Sequence, residues 1–156
     1  MSGQPLPSPS NFPSVTLTVR RTIAATSEFL FDAWTQPHRM KEWWGPGEVK
    51  CVAVKIDLRV GGHYRIANQF PDGRILWIGG QFEIIERPHK LVYSWSVEPM
   101  SESPERVTVQ FEPREGATEV IVTHERIPDL ATRDQHQVGW LGCLDGLGNY
   151  ACREDH

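Results

Sequence analysis

Cysteine is scarce in this chain and basic charge is not in excess. The three cysteines, Cys51, Cys143 and Cys152, are odd in number and form no close pair. That excludes a disulfide framework and a zinc knuckle, and it points to a reducing cytoplasm. Sixteen Lys and Arg stand against 20 Asp and Glu, for a formal charge of −4. A general binder of nucleic-acid backbones needs a concentrated basic face, so that class is excluded too. No apolar run approaches the ~20 residues that cross a bilayer, and membrane insertion is not expected. The start, Met1 to Pro5, has neither the basic nor the apolar stretch of a secretory signal. P-loop, nucleophile elbow, HExxH and CxxC motifs are all absent. Gly146-x-Gly148-x-x-Ala151 imitates a dinucleotide fingerprint but falls inside a predicted helix rather than after a strand. Neither a metal nor a cofactor is expected.

What is present fits one domain, because 156 residues lie within the usual domain size. Residues 1–13 carry four prolines and no periodicity, and read as a flexible leader to a single domain over residues 14–156. From Val15 the pattern changes. Val15, Leu17, Val19 and Ile23 alternate with Thr16, Thr18, Arg20 and Thr22, which predicts a half-buried strand. Thr26 or Ser27 can cap a helix carrying Phe29, Leu30, Ala33 and Trp34, and a short second helix runs from His38 to Trp43.

Six further strands follow. The first alternates from Cys51 to Val60 and breaks at Gly61-Gly62, and Pro71-Asp72-Gly73 is a turn. A long strand over residues 74–86 shifts parity between Trp77 and Phe82, which predicts a bulge at Gly79-Gly80. The chain closes with a helix whose start matches a capping box, Thr132-x-x-Gln135. Strands joined by short turns cannot be parallel crossover units, so the class is α+β with an antiparallel, meandering sheet of six to seven strands.

On the terminal helix, Trp140, Leu144, Leu147 and Ala151 fall on one stripe. Glycines at 139, 142, 146 and 148 should cost that helix about 0.8–1 kcal/mol each relative to alanine. They mean either close backbone approach to the sheet or a space between helix and sheet that a ligand fills. Among the histidines, His38, His63, His89, His136 and His156 are expected at the surface. His124 shares its parity with Val120 and Val122, which makes it either a hydrogen-bonded core residue or an acid–base group, with no carboxylate assigned to it. Six tryptophans, at 34, 43, 44, 77, 95 and 140, are many for so small a domain. They are either core packing or the wall of an apolar pocket with a few N–H donors.

Ala33-Trp34-Thr35-Gln36-Pro37 followed by Trp43-Trp44-Gly45-Pro46 resembles the signature of the activator of heat-shock protein 90 ATPase homologue-like proteins, of the START-like (SRPBCC, helix-grip) superfamily. Arg59 to Gly62, Glu86 to Tyr93, Val120 to Glu125 and Gly139-Trp140 match the same pattern. The chain departs from it in carrying Thr26 where a proline is usual, and in the glycine content of its last helix. The resemblance implies a curved antiparallel sheet gripping the C-terminal helix, two short helices after the first strand, and a hydrophobic cavity between sheet and helix. Its expected lining is Trp34, Trp43, Trp44, Tyr64, Trp77, Phe82, Trp95, Val109, Phe111, His124, Trp140 and Leu144. The function expected is binding of a small hydrophobic or aromatic molecule without turnover. An aromatase/cyclase- or hydrolase-like enzyme, with His124 as its acid–base group, is the second reading. A stress-related co-chaperone with a chaperone partner is the third, and a homodimer is left open.

Overall fold

The alternation that begins at Val15 buries Leu17, Val19 and Ile23 and leaves Thr16, Thr18, Arg20 and Thr22 exposed along β1 (Val15–Ile23). This computed structural model describes residues 14–45, 47–98 and 103–154; the leader expected over residues 1–13 lies outside them. Thr26 caps α1 (Ser27–Thr35), its hydroxyl accepting from the Phe29 amide at 3.0 Å. Pro37 opens α2 (Pro37–Trp43) at a position where its missing N–H costs nothing.

A meander follows: β2 (Lys50–Ile56), β3 (His63–Gln69), β4 (Ile75–Glu86), β5 (Lys90–Val97), β6 (Glu105–Arg114) and β7 (Ala117–Ile127). The sheet is seven-stranded, antiparallel and curved, in the order β1-β7-β6-β5-β4-β3-β2. Each strand from β2 onward therefore pairs with its successor, and β1 closes on the last. The long α3 (Leu130–Glu154) packs against β1, β7 and α2. It turns Trp140, Cys143, Leu144, Leu147, Tyr150 and Ala151 inward, which includes the whole expected stripe. Leu30 and Phe31 of α1 and Phe111 of β6 are fully buried. Side chains of this size stabilise by about 1.5–3 kcal/mol each when taken out of water.

Three local expectations are corrected. β2 stops at Ile56, leaving Leu58 and Val60 41% and 66% exposed. The chain folds back there so tightly that only glycine fits at position 62, where a Cβ would lie 2.1 Å from the Asp57 carbonyl oxygen. The bulge is not at Gly79-Gly80, which pair continuously with Arg65 and Tyr64. It lies between Phe82 and Ile84 in the β4–β5 ladder. Both glycines answer to close approach instead, a Cβ on Gly80 falling 2.0 Å from the Ser94 carbonyl oxygen. The cap of α3 is Asp129, whose carboxylate accepts from the Thr132 amide at 2.7 Å, so the helix begins one residue later, at Leu130, and not at Thr132.

Candidate functional site

Alternation along β5, β6 and β7 points Trp95, Val107, Val109, Phe111, Val120, Val122 and His124 into the space under α3. α2 delivers Trp43 and Trp44 to the same space, and α1 delivers Trp34. Five indoles thus meet. Trp34 lies 4.9 Å from Trp43 and 6.0 Å from Trp140, while Trp44 lies 5.5 Å from Trp140 and 6.3 Å from Trp95, between ring centroids. Trp77 is the exception and is a correction. It sits under the Arg65 guanidinium, 4.0 Å from ring to charge, half-buried on the opposite face from Ile78. Its odd parity in β4 is the reason.

Most of these polar ring tips are satisfied. Trp34 Nε1 donates to Tyr93 Oη at 3.2 Å and Trp43 Nε1 to the Ala33 carbonyl at 2.9 Å. Tyr64 Oη donates to the Ser94 carbonyl at 2.7 Å, and burial raises its pKa well above the usual range, so it is a poor acid–base group. Among the described residues, four buried side-chain atoms have no hydrogen-bond partner: Trp44 Nε1, Trp95 Nε1, Asn68 Oδ1 and Ser96 Oγ.

Three of those four residues line one cavity. It measures about 110 Å³ and is bounded by Trp44, Asn68, Ile78, Trp95, Gln135, His136, Gly139, Trp140 and Cys143. A second void, of about 20 Å³, is bordered by Trp34, Tyr64 and Phe82 among others. Trp43, Val109, Phe111 and Leu144 line neither of these and pack the core. The glycines of α3 divide accordingly. A Cβ on Gly146 would meet the Trp43 carbonyl oxygen at 2.4 Å, so that glycine serves close approach, to α2 rather than to the sheet. Gly139 faces open space and borders the cavity. A wider hollow of about 520 Å³ lies between the start of α1 and the β6–β7 turn. Its buried hydroxyls, Ser27 and Thr118, are bonded to each other, and Thr118 also donates to the Ala25 carbonyl.

Beside the cavity stands a polar cluster. Glu105 Oε1 accepts from His124 Nε2 at 2.7 Å and from His136 Nε2 at 2.9 Å, and the two imidazoles stack at 4.4 Å. Trp140 Nε1 lies 3.0 Å from His124 Nδ1. An indole N–H can only donate, so His124 Nδ1 holds a lone pair and its hydrogen is on Nε2. Both nitrogens of His124 are committed in the neutral ring. Its pKa is lowered, chiefly by burial and against the pull of Glu105. Burial also works on Glu105, upward, but the two imidazole hydrogen bonds outweigh it and bring its pKa down to about 2.

His136 is only half-buried and keeps one nitrogen, Nδ1, outside these bonds. The surface position expected for His136 is corrected, since it is half-buried against Glu105; of the two readings of His124, the geometry is that of the hydrogen-bonded core residue. Sequence carried the signal for each partner. Glu105 extends the inward parity of Val107, Val109 and Phe111 back by two residues, and His136 stands one turn before Trp140 on the buried stripe. His38, His63 and His89 are exposed as expected, and His156 lies outside the described residues.

The ligand atoms of Glu105, His124 and His136 all lie within 4.8 Å of one another, the spacing of a metal site. A cation on His124 Nε2 would force the ring hydrogen onto Nδ1, against the Trp140 N–H. The donor set therefore fits a hydrogen-bonded relay and does not fit a metal unless that indole moves away.

A family model described as "Activator of Hsp90 ATPase homolog 1-like protein" matches residues 24–151. None of the curated proteins matches. The fold is shared with solved structures at low identity. The AHSA1 protein of Silicibacter pomeroyi is 23% identical, with a TM-score of 0.79 over 90% of this chain and 99% of that one. The AHSA1-like protein of Aeromonas hydrophila is 24% identical, with a TM-score of 0.77 over 90% and 94%. A protein from Rhodobacter sphaeroides is 25% identical, with a TM-score of 0.78 over 90% and 95%.

Proposed function

The chain belongs to the family of Activator of Hsp90 ATPase homolog 1-like proteins, and on that premise we propose that it binds a small, ring-sized molecule in the cavity between the sheet and α3. The observation that carries this reading is the cavity of about 110 Å³ walled by Trp44, Trp95 and Trp140. A closed apolar void costs roughly 24 cal/mol per Å³; this one opens partly to solvent and is bordered by Asn68, Gln135 and His136, so water can enter it and lower that cost. Each buried N–H without a partner costs about 1–3 kcal/mol more. Features that lower stability in an otherwise well-packed core mark a binding site. The size is close to that of an engineered cavity of roughly 150 Å³ that takes up benzene, which sets the ligand at about one aromatic ring. Drug-sized ligands need roughly 300 Å³ or more.

Gly139 supplies the test, because it borders the cavity and a Cβ added there meets nothing within 4 Å. Calorimetric titration with single-ring compounds (phenol, benzoate, indole) should show binding to the wild-type chain. Gly139→Phe should fill the cavity, abolish that heat and raise the melting temperature by several degrees. Equal affinity in both proteins, or no heat with any single-ring compound, overturns the reading.

A further inference from the structure

Asparagine is a poor strand former, yet Asn68 stands inside β3 on the face that Tyr64 and Ile66 turn to the core. It is 6% exposed, and none of the described residues hydrogen-bonds to its side-chain amide. The two ends of that amide differ. Oδ1 is sealed within the wall, whereas Nδ2 is left open. Asn68 borders the cavity of about 110 Å³, so the open end is the one that an occupant meets. The β2–β3 ladder slips between Cys51 and Ala53, opposite Asn68 and Ala67, and a bulge of this kind re-aims the side chains around it. Resting on the ligand-binding reading above, we propose that the occupant is an uncharged aromatic ring bearing one oxygen acceptor, such as a carbonyl, which takes a hydrogen bond from Asn68 Nδ2.

The rest of the lining sets shape and charge. Trp44, Trp95 and Trp140 supply flat apolar walls, their ring centroids 5.5–6.3 Å apart, and such walls suit another aromatic ring. Their own donors do not compete for the ligand. Trp140 Nε1 already donates to His124, and the indole nitrogens of Trp44 and Trp95 are sealed as Asn68 Oδ1 is. Among the described residues, no Lys, Arg, Asp or Glu borders the space, so a buried charge of either sign would lack a partner there.

An amide buried without partners lowers stability, and an apolar side chain of the same shape would not. Oδ1 goes unpaired whatever fills the cavity, whereas Nδ2 gains its bond when an acceptor enters. The indole walls hold a hydrocarbon ring and its oxygen-bearing isostere alike. Asn68 tells them apart, because the hydrocarbon leaves a buried donor unpaired and the oxygen satisfies it.

The test uses the full chain with benzaldehyde and styrene, which share one shape and differ in an oxygen against a methylene. Calorimetry on the wild-type chain and on Asn68→Leu gives both affinities in both proteins. In the variant the preference for benzaldehyde over styrene should fall about fivefold or more, while styrene binds at least as tightly as before. The unliganded variant should also melt at a higher temperature, since leucine removes the unpaired Oδ1; a lower one would show an amide bonded within the fold and overturn the inference. A second measurement needs no substitution. The infrared carbonyl band of benzaldehyde bound to the wild-type chain should lie below its position in hexane, and it decides the matter should Asn68→Leu fail to fold. An unchanged preference in Asn68→Leu, or a carbonyl band at the hexane position, overturns the role of Asn68 and leaves the cavity reading standing. No heat with either compound overturns this inference, and no heat with phenol as well overturns the cavity reading with it.

Discussion

His124 has no lone pair left for a proton, and the consequence reaches beyond the cavity. Its folded pKa lies below the ordinary 6.5 because burial disfavours the charged ring. As pH falls past 6.5 the unfolded chain takes up a proton that the folded chain refuses, and stability is lost. Glu105 adds a second, lower stage. Its folded pKa is depressed from 4.5 to about 2, so the stabilisation present above 4.5 disappears as pH falls toward 2. Thermal melts at a series of pH values should therefore show a decline beginning near 6.5 and a further one below 4.5. His124→Gln should melt lower overall yet lose the upper stage; an unchanged profile in that variant would count against a neutral, buried His124. Alternation alone located His124 on the inner face. The same parity reaches Glu105, and helical spacing reaches His136, but the first opens its strand and the second lies in the first two turns of its helix, where side chains are usually solvated, so neither stood out as a partner. The Trp140 hydrogen bond that fixes the tautomer depends on tertiary approach, which no spacing encodes.

At the scale of the element, two glycines only two positions apart in α3 should respond with opposite sign. Gly148 faces open space, so Gly148→Ala gains helix propensity worth up to about 1 kcal/mol. Gly146→Ala gains the same propensity but drives its methyl into the Trp43 carbonyl oxygen, a backbone atom that yields only if α2 moves. Overpacking of that kind costs about 1–3 kcal/mol, so the net effect is destabilising. Denaturant midpoints of the two variants measure the difference directly. The cap offers a second contrast: Asp129→Ala should cost about 1 kcal/mol and Thr132→Ala much less, because Asp129 holds the free amide. The 3.6-residue period made the helix and its buried stripe legible. Its first residue was not, since Asp129 and Thr132 are both good caps and the choice falls to how β7 ends. The end of β2 was hidden for a similar reason, its alternation running on through residues that turn away at Gly62.

For the molecule as a whole, the antiparallel meander followed from short turns between alternating strands, and the cleft under the last helix from the family motifs. The closure of the sheet by β1 against β7 is a long-range pairing that local pattern does not state. Burial is uneven across the resulting sheet. Val107, Val109, Phe111, Val120 and Val122 in β6 and β7 are fully buried, whereas β2 has no fully buried residue. Amide exchange should accordingly be slowest in β6 and β7, limited there by global unfolding, and faster in β2 through local opening. Equal protection across all seven strands would contradict this distribution. The cavity itself is bounded by β3, β4 and β5 together with α3, while the polar cluster beside it stands on β6, β7 and α3.

The gathered indoles also have an optical consequence. Five tryptophans form an unbroken chain of rings, with successive centroids 4.9–6.3 Å apart. Rings this close can exchange excitation, so a change at one of them is felt in the emission of its neighbours. Trp77 packs beneath Arg65, outside this chain of ring contacts. Replacing it with phenylalanine would leave a protein whose tryptophan emission comes only from the five rings gathered under α3, three of which border the cavity.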